Sequence, residues 1–180
     1  AVNYASLAEK YSIALPSTLS FTQPIFYDSL ARLAHYSVVS TQERTKYLEK
    51  VFINQEQMKK WGRHAPMNFQ HKYDLVEAEK ARVLGQPWQA ASFYEKAIAG
   101  ARENQYLHEE ALAYQLAAEF YLAQGMDKFA QTYFKEAHYR YQQWGALAKV
   151  TDLEQHYPQF LAQMSETAKL RSTNTVLATR

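Results

Sequence analysis

The chain carries the same four-residue pattern twice, 40 residues apart. Each copy has a Gly, a small residue five positions later, an aromatic residue at nine and a small residue at twelve. The first copy is Gly85, Ala90, Tyr94 and Ala97, and the second is Gly125, Ala130, Phe134 and Ala137. Gly permits the left-handed backbone conformation that ends many helices, and Ala lets two helix backbones approach closely. The pattern therefore predicts successive helical hairpins, each with a glycine turn between its helices.

This spacing is typical of tetratricopeptide-like hairpins, in which the aromatic residue fills the space beside the small ones. Only five Gly and five Pro residues leave few tight turns for a β-sandwich or barrel. Good helix formers dominate the middle of the chain. We predict an all-α fold of antiparallel helical hairpins that stack as a tetratricopeptide-like right-handed superhelix of about eight helices. Ala118, in the first helix of the second hairpin, is a further tight-packing position.

Apolar periodicity, together with glycine and proline positions, divides the chain into predicted helices. They span 2–13, 23–37, 41–61, 67–84, 87–104, 107–124, 127–144 and 146–156. Ser40 with Glu43 predicts a capping box at the start of the third helix. The apolar positions of that helix keep helical spacing, and they are Leu48, Val51, Phe52, Met58 and Trp61. We assign 1–62 to N-terminal capping or degenerate hairpins, 63–160 to two repeats plus a capping helix, and 161–180 to a Ser/Thr-rich linker.

Charged residues nearly balance, since twenty Lys and Arg against eighteen Asp and Glu give a net charge of +2. This balance disfavours nucleic acid as a partner, and the closest basic cluster, Lys59-Lys60 with Arg63, is typical of a solvated helix end. No apolar run approaches the roughly 18 residues that cross a bilayer. There is no cysteine and no signal-peptide pattern. We expect a cytoplasmic segment of a longer protein that binds neither nucleic acid nor membrane.

No group of residues in the sequence matches a known catalytic arrangement. The six histidines are scattered, and we expect surface or satisfied core positions for them rather than metal ligation. His138 is the best candidate for a phosphotransfer bundle, but it lacks a neighbouring Lys-Gly. The carboxylate pairs Glu77/Glu79 and Glu109/Glu110 do not converge, because such close positions face different sides of a helix, and we expect them to be solvated. We predict no catalytic residue, no metal site and no cofactor.

In solenoids of helical hairpins, the first helix of each hairpin lines the concave face. The polar stripes of the predicted helices 67–84 and 107–124 give five candidate groove-binding residues: Lys72, Glu79, Arg82, Gln115 and Glu119. The alternative is that Glu79 and Arg82 form a local ion pair at i,i+3 spacing. The stripe is not the Lys/Asn-rich clamp with which chaperone-binding tetratricopeptide proteins hold C-terminal carboxylates, so that partner class is disfavoured.

Three stretches are distinctive enough to suggest a family: His64-Ala65-Pro66-Met67-Asn68-Phe69, Leu116-Ala117-Ala118-Glu119-Phe120-Tyr121, and Trp144-Gly145-Ala146 through Tyr157-Pro158. They resemble the helical region of very large bacterial signalling proteins, best known in cyanobacteria, and the resemblance covers roughly 20–160. It implies a parent with a Ser/Thr-kinase-like domain, a nucleotide-binding ATPase domain, a tetratricopeptide-like region, a GAF domain and a sensor histidine kinase of two-component signalling. It implies ATP-dependent kinase activity for the parent and a connecting role for this segment.

Two functions are compatible with these observations. The first is a non-catalytic scaffold for protein–protein or interdomain interaction within a signal-transducing sensor kinase. Its partners would be protein segments or neighbouring domains of the same chain, with a homodimer through the end faces as a further option. The alternative is a superhelix that senses a small molecule and regulates an adjoining ATPase or kinase. A pocket over roughly 300 Å³ lined by Lys72, Arg82 and Gln115 would favour the alternative.

Overall fold

The computed structural model describes residues 22–161, and within this range all regular secondary structure is helical. Seven helices are complete: α1 (Thr22–Ala34), α2 (Thr41–His64), α3 (Pro66–Val83), α4 (Pro87–Glu103), α5 (Leu107–Ala123), α6 (Asp127–Trp144) and α7 (Leu147–His156). A further helical segment covers 158–161. The all-α prediction is confirmed for the described residues. The predicted helix 2–13 and residues 162–180 of the predicted linker lie outside them.

The observed helix ends lie within three residues of the predicted ones, because local sequence signals determine where these helices begin and end. Ser40 caps α2, because its hydroxyl accepts from the backbone N–H of Glu43 while the Glu43 side chain accepts from the backbone N–H of Ser40. At its other end α2 continues beyond the predicted end, through Gly62 to His64. Proline disfavours a helical conformation in the residue before it, and Ala65 accordingly has a φ of −141°. Pro66, rather than Gly62, therefore separates α2 from α3.

The two repeat glycines occupy equivalent turns. Gly85 and Gly125 both have a φ of 71°. The backbone N–H of Gln86 donates to the Ala81 carbonyl oxygen at 2.9 Å, and that of Met126 donates to the Tyr121 carbonyl oxygen at 2.9 Å. Together with the bonds from the Gly85 N–H to the Arg82 carbonyl oxygen and from the Gly125 N–H to the Leu122 carbonyl oxygen, they form a Schellman motif at the ends of α3 and α5. The 40-residue pattern thus corresponds to one turn geometry used twice.

Contacts divide the chain into two units between Gln105 and Tyr106. Unit 1 contains α1 to α4, and unit 2 contains α5 to α7 with residues 158–161. In unit 1, α1 packs against α2 and α3, while α3 packs against α2 on one side and α4 on the other. In unit 2, α6 packs against both α5 and α7. The predicted regions 1–62, 63–160 and 161–180 and the stacking of hairpins into a right-handed superhelix stay predictions.

Side-chain contacts show that paired helices run antiparallel. Near the α3–α4 turn Glu79 contacts Tyr94, and farther from the turn the Cβ of His71 lies against Gly100. The two helices approach so closely there that a Cβ on Gly100 would lie 3.2 Å from the Cβ of His71. The side chains at the predicted packing positions are all buried: Ala90, Tyr94, Ala97, Ala118, Ala130, Phe134 and Ala137. They form the cores of the α3–α4 and α5–α6 hairpins.

Candidate functional site

Glu79 lies at the polar centre of unit 1. It is only 3% exposed, and it accepts hydrogen bonds from Arg82 on its own helix and from the hydroxyl of Tyr94 on α4. Arg82 Nη2 lies 2.6 Å from Glu79 Oε2, and Arg82 Nε lies 3.0 Å from Oε1. Burial lowers the pKa of Arg82, but the hydrogen bond to Glu79 and its charge outweigh that effect and raise it. The i,i+3 ion pair proposed as an alternative to groove binding is therefore present.

Lys72 is also buried, although the sequence places it on the predicted polar stripe. Its ammonium group donates to the backbone carbonyl oxygen of Asn68, with Nζ and O 2.9 Å apart, and lies 3.5 Å from Nε2 of His71. Its long aliphatic stem packs in the helix interface while the amine bonds to the backbone of the preceding turn. Lys72 thus contributes to the interior of unit 1.

In unit 2, Gln115 and Glu119 form one hydrogen-bonded chain. Gln115 Nε2 donates to Glu119 Oε1 at 2.9 Å, and the Tyr141 hydroxyl donates to Gln115 Oε1 at 2.9 Å. Glu119 is also hydrogen-bonded to the hydroxyl of Tyr157, which follows α7. Burial, with the charge of Glu119 and this bond, raises the pKa of Tyr157 to about 12. The chain links α5, α6 and the segment after α7.

Three of the five predicted groove residues therefore lie in unit 1 and two in unit 2. The structure brings Glu79 together with Arg82, and Gln115 together with Glu119, each pair within its own unit. Every one of these polar side chains makes internal contacts. Their use as a ligand-binding stripe stays a prediction.

The expectation that the carboxylate pairs are solvated is wrong. Glu109 and Glu110 are 1% and 3% exposed, and Glu110 Oε1 lies 3.2 Å from Arg140 Nε on α6. Glu77 accepts from Lys80 at 2.6 Å and from the side-chain amide of Gln55 on α2. Gln55 on α2 thus supplies a donor to Glu77, and Arg140 on α6 supplies a cation to Glu110, which makes burial of these two carboxylates tolerable. Such partners are not visible in the spacing of one helix.

Asp74 is a buried carboxylate whose pKa is raised well above its ordinary value. It is 6% exposed on α3 and accepts a hydrogen bond from Gln70 Nε2 at 3.0 Å. Burial raises its pKa to about 6, against the opposing effects of the Gln70 bond and the positive charge of Lys96. The negative charge of Glu77 adds to the increase. Asp74 is therefore a source of pH-dependent stability in unit 1.

His138 is buried on α6, and its Nε2 lies 2.9 Å from Glu154 Oε1 on α7. His138 is therefore a core histidine paired at Nε2, with a buried Nδ1 that has no hydrogen-bond partner among the described residues, and not the exposed histidine of a phosphotransfer bundle. Among residues 22–161, no three His, Asp or Glu side chains converge in a way that would hold a metal ion.

An apolar groove lies between α2 and α3 in unit 1, with a volume of about 580 Å³. Its walls are Leu48, Glu49, Phe52, Ile53, Lys80 and Leu84. Phe52 and Ile53 are 62% and 61% exposed, and Leu84 is exposed as well. Trp88, in the first turn of α4, is the most exposed of the described large apolar residues at 88%. Unit 1 therefore presents a shallow, open apolar surface to solvent, and exposed apolar patches of this kind mark interaction sites.

Phe52 keeps helical spacing with the other apolar positions of α2, but it lies outside the packed side of the helix. Val51 is fully buried, and adjacent residues on a helix are about 100° apart, so Phe52 points to another side. The sequence feature that indicates an exposed apolar patch is the run Val51-Phe52-Ile53 in an otherwise polar stretch of helix. Three consecutive apolar residues cannot all face one neighbour, and such a run marks a helix with either two packed sides or an exposed apolar patch.

Comparisons with family models, with curated proteins and with solved structures gave no match to this chain. None of the described helices is both long and apolar enough to span a membrane. The geometry and chemistry of the described residues are therefore the basis on which a function is inferred.

Proposed function

We propose that this chain is a non-catalytic helical-repeat scaffold that binds a protein segment or a neighbouring domain of the same polypeptide. The observation that carries this proposal is the exposed apolar groove between α2 and α3. Its residues Phe52, Ile53 and Leu84 would bury their apolar area only when a partner covers them, at roughly 25 cal/mol per Å². Large exposed apolar surfaces of this kind mark interaction sites.

The internal contacts of the polar residues support the same proposal. Glu79, Arg82, Gln115 and Glu119 bond to one another or to nearby side chains, so their charges and dipoles stabilise the helix packing. In our proposal the hairpins continue as a tetratricopeptide-like right-handed superhelix. Its setting is a cytoplasmic, multidomain sensor kinase with ATPase and kinase activity, as the sequence resemblance implies. The scaffold would hold the catalytic domains in a defined geometry.

The small-molecule alternative stays a prediction. It requires a pocket lined by Lys72, Arg82 and Gln115, and the groove between α2 and α3 is lined by other residues. The walls of that groove are largely apolar, with Glu49 and Lys80 as its charged members. This surface suits a hydrophobic ridge of a protein better than a polar metabolite.

Hydrogen–deuterium exchange of the full-length parent, with and without ATP, tests the proposal. We expect amides at 48–53 and 80–84 to exchange more slowly in the parent than in the isolated chain, because a partner domain covers the groove. The double variant Phe52→Ser/Ile53→Ser should remove this protection and lower ATP-stimulated kinase activity. Val38→Ser, at a residue 76% exposed but outside the groove, is the matched control and should change neither. Equal exchange in parent and isolated chain, with unchanged activity of the double variant, would contradict the proposal.

A further inference from the structure

The outward face of α2 is apolar near the middle of the helix and basic at its C-terminal end. Lys59, Lys60 and Arg63 are exposed, and none of them forms an ion pair within the part of the chain that the structure describes. Phe52, Lys59 and Arg63 lie 7 and 4 residues apart, which places them on one stripe of the helix. Ile53 and Lys60 are likewise seven residues apart, so they form a second stripe beside the first. Exposed Glu56 lies between Phe52 and Lys59, so the stripe runs from the apolar groove past one carboxylate to a basic end whose cations form no ion pair with residues 22–161.

We propose that this surface binds an amphipathic helix of a partner protein that is apolar at one end and acidic at the other. This inference rests on the proposed scaffold function and specifies the partner for it. The apolar ridge of the partner would lie in the groove between α2 and α3, the mode in which amphipathic helices bind apolar grooves. From Phe52 to Arg63 the stripe extends about 16 Å, so the partner's carboxylates lie about three turns from its apolar anchors.

Charge complementarity is the reason to expect an acidic end on the partner helix. Three exposed cations at the end of one helix, with no ion pair to any residue of 22–161, attract carboxylates and increase the rate of encounter. Two exposed acidic residues lie on the same face: Glu49 is one wall of the groove, and Glu56 lies one turn beyond Phe52 toward the basic end. They repel a partner that places its carboxylates over the groove, and so they fix the direction in which the helix binds. They also weaken attraction to an anionic bilayer, which favours a protein over a membrane surface.

The inference is tested by selecting from a random library of 18-residue peptides displayed on phage, with the full 180-residue chain as bait. We expect the enriched peptides to share two or three large apolar residues at helical spacing, followed about ten residues later by a cluster of Asp and Glu. Enrichment should fall at least tenfold with Lys59→Glu/Lys60→Glu and with Phe52→Ser as bait. Lys128→Glu/Lys135→Glu on α6 makes the same charge change in unit 2 and should leave enrichment unchanged. Circular dichroism confirms that each bait is folded.

The outcomes separate this inference from the scaffold function. Enriched peptides without the acidic cluster, or enrichment insensitive to the α2 variants, would overturn the inference while leaving an interaction scaffold in place. Failure to enrich any peptide would contradict both. Sedimentation of the chain with phosphatidylserine-containing vesicles, if abolished by Lys59→Glu/Lys60→Glu, would replace the helical partner with a membrane. A dimer in analytical ultracentrifugation that Phe52→Ser dissociates would make a second copy of the chain the occupant.

Discussion

The hairpins α3–α4 and α5–α6 have the same turn geometry, but the equivalent glutamates Glu79 and Glu119 have different hydrogen-bond partners. Glu79 receives its partners from within its hairpin, from Arg82 on α3 and Tyr94 on α4. Forty residues later the equivalents of Arg82 and Tyr94 are Leu122 and Phe134, which cannot donate hydrogen bonds.

Glu119 therefore takes its partners from Gln115 on its own helix and from Tyr157, which lies beyond α7. The ring of Tyr157 stacks on Phe134, with centroids 4.0 Å apart, so it supplies the hydroxyl group that Phe134 lacks. The first polar centre is complete within one hairpin, whereas the second requires the following helix. The repeat thus fixes the backbone, and the residues outside the pattern decide how far each centre depends on its neighbours.

The largest effect should come from removing the cation at the first centre. Arg82→Met, which resembles Leu122 of the second repeat, leaves Glu79 buried with only the Tyr94 hydroxyl. We expect a loss of about 2–4 kcal/mol in the free energy of unfolding, somewhat below the range for a fully buried pair because Arg82 is one-third exposed. Urea denaturation followed by circular dichroism measures it. Arg63→Met, at an exposed arginine without an ion pair among the described residues, should change stability by under about 0.5 kcal/mol. Equal effects of the two variants would contradict the assigned role of Arg82.

The second prediction concerns pH, and it distinguishes the repeats because Asp74 corresponds to Tyr114 in the second hairpin. The folded-state pKa of Asp74, about 6, lies above its ordinary value of 3.8. The folded state therefore holds a proton that the unfolded state has lost, and stability falls as pH rises from about 4 to about 6. Asp74→Asn keeps the acceptor for Gln70 but carries no charge.

We expect Asp74→Asn to stabilise the chain by about 1–3 kcal/mol at pH 7.5 and to have little effect at pH 4. Melting temperatures across this pH range provide the measurement. A constant difference in melting temperature between Asp74→Asn and the unsubstituted chain at all pH values would show that Asp74 does not titrate in this interval.

The third prediction compares the two tyrosine hydroxyls directly. Tyr94→Phe removes a donor to a carboxylate that is 3% exposed, and should cost about 1–2 kcal/mol. Tyr157→Phe keeps the stack on Phe134 and removes a donor to the more accessible Glu119, so it should cost under about 1 kcal/mol. Tyr157→Phe should also remove a tyrosine with a pKa of about 12 from an ultraviolet absorbance titration. A larger loss for Tyr157→Phe than for Tyr94→Phe would reverse the comparison.

The smallest effect is expected at the end of α4. Gln105 has a φ of 63° where the equivalent residue 40 positions later is Gly145, with a φ of 80°. A left-handed conformation costs a residue with a Cβ roughly 1–2 kcal/mol, part of which is offset by the extra flexibility that glycine gives the unfolded chain. Gln105→Gly should therefore stabilise the chain by about 0.5–1 kcal/mol in urea denaturation. Gln124→Gly, one residue before a glycine turn, is the control and should not stabilise.

Local signals made the helices predictable from the sequence, while long-range contacts limited prediction of the polar sites. Ser40 and Gly85 act on their own helix ends through short-range bonds, so their effect is visible in the sequence. The burial of Glu79 and Glu110 depends on Tyr94 and Arg140, which come from another helix 15 and 30 residues away. Spacing within one helix gives no information on such partners.

The sequence did not predict the exposed groove, for a related reason. Apolar periodicity shows that Val51 and Phe52 are both hydrophobic, but it does not show which side of α2 a neighbouring helix covers. That side is decided by the packing of α1 and α3 against α2, which leaves Phe52 outside. The basic end of the same helix was interpreted as a solvated end because its continuity with an apolar groove exists only in three dimensions.

The short turns between paired helices have a consequence for how quickly the protein folds. Three residues join α3 to α4, and three join α5 to α6, so residues that pack together are near one another in the chain. Chains dominated by such local contacts lose little entropy when they close each loop, and they fold in milliseconds or less. During synthesis, α3 and α4 can pair as soon as both have left the ribosome. The polar centre at Glu79 would then form early, whereas the centre at Glu119 must wait until Tyr157 has been made.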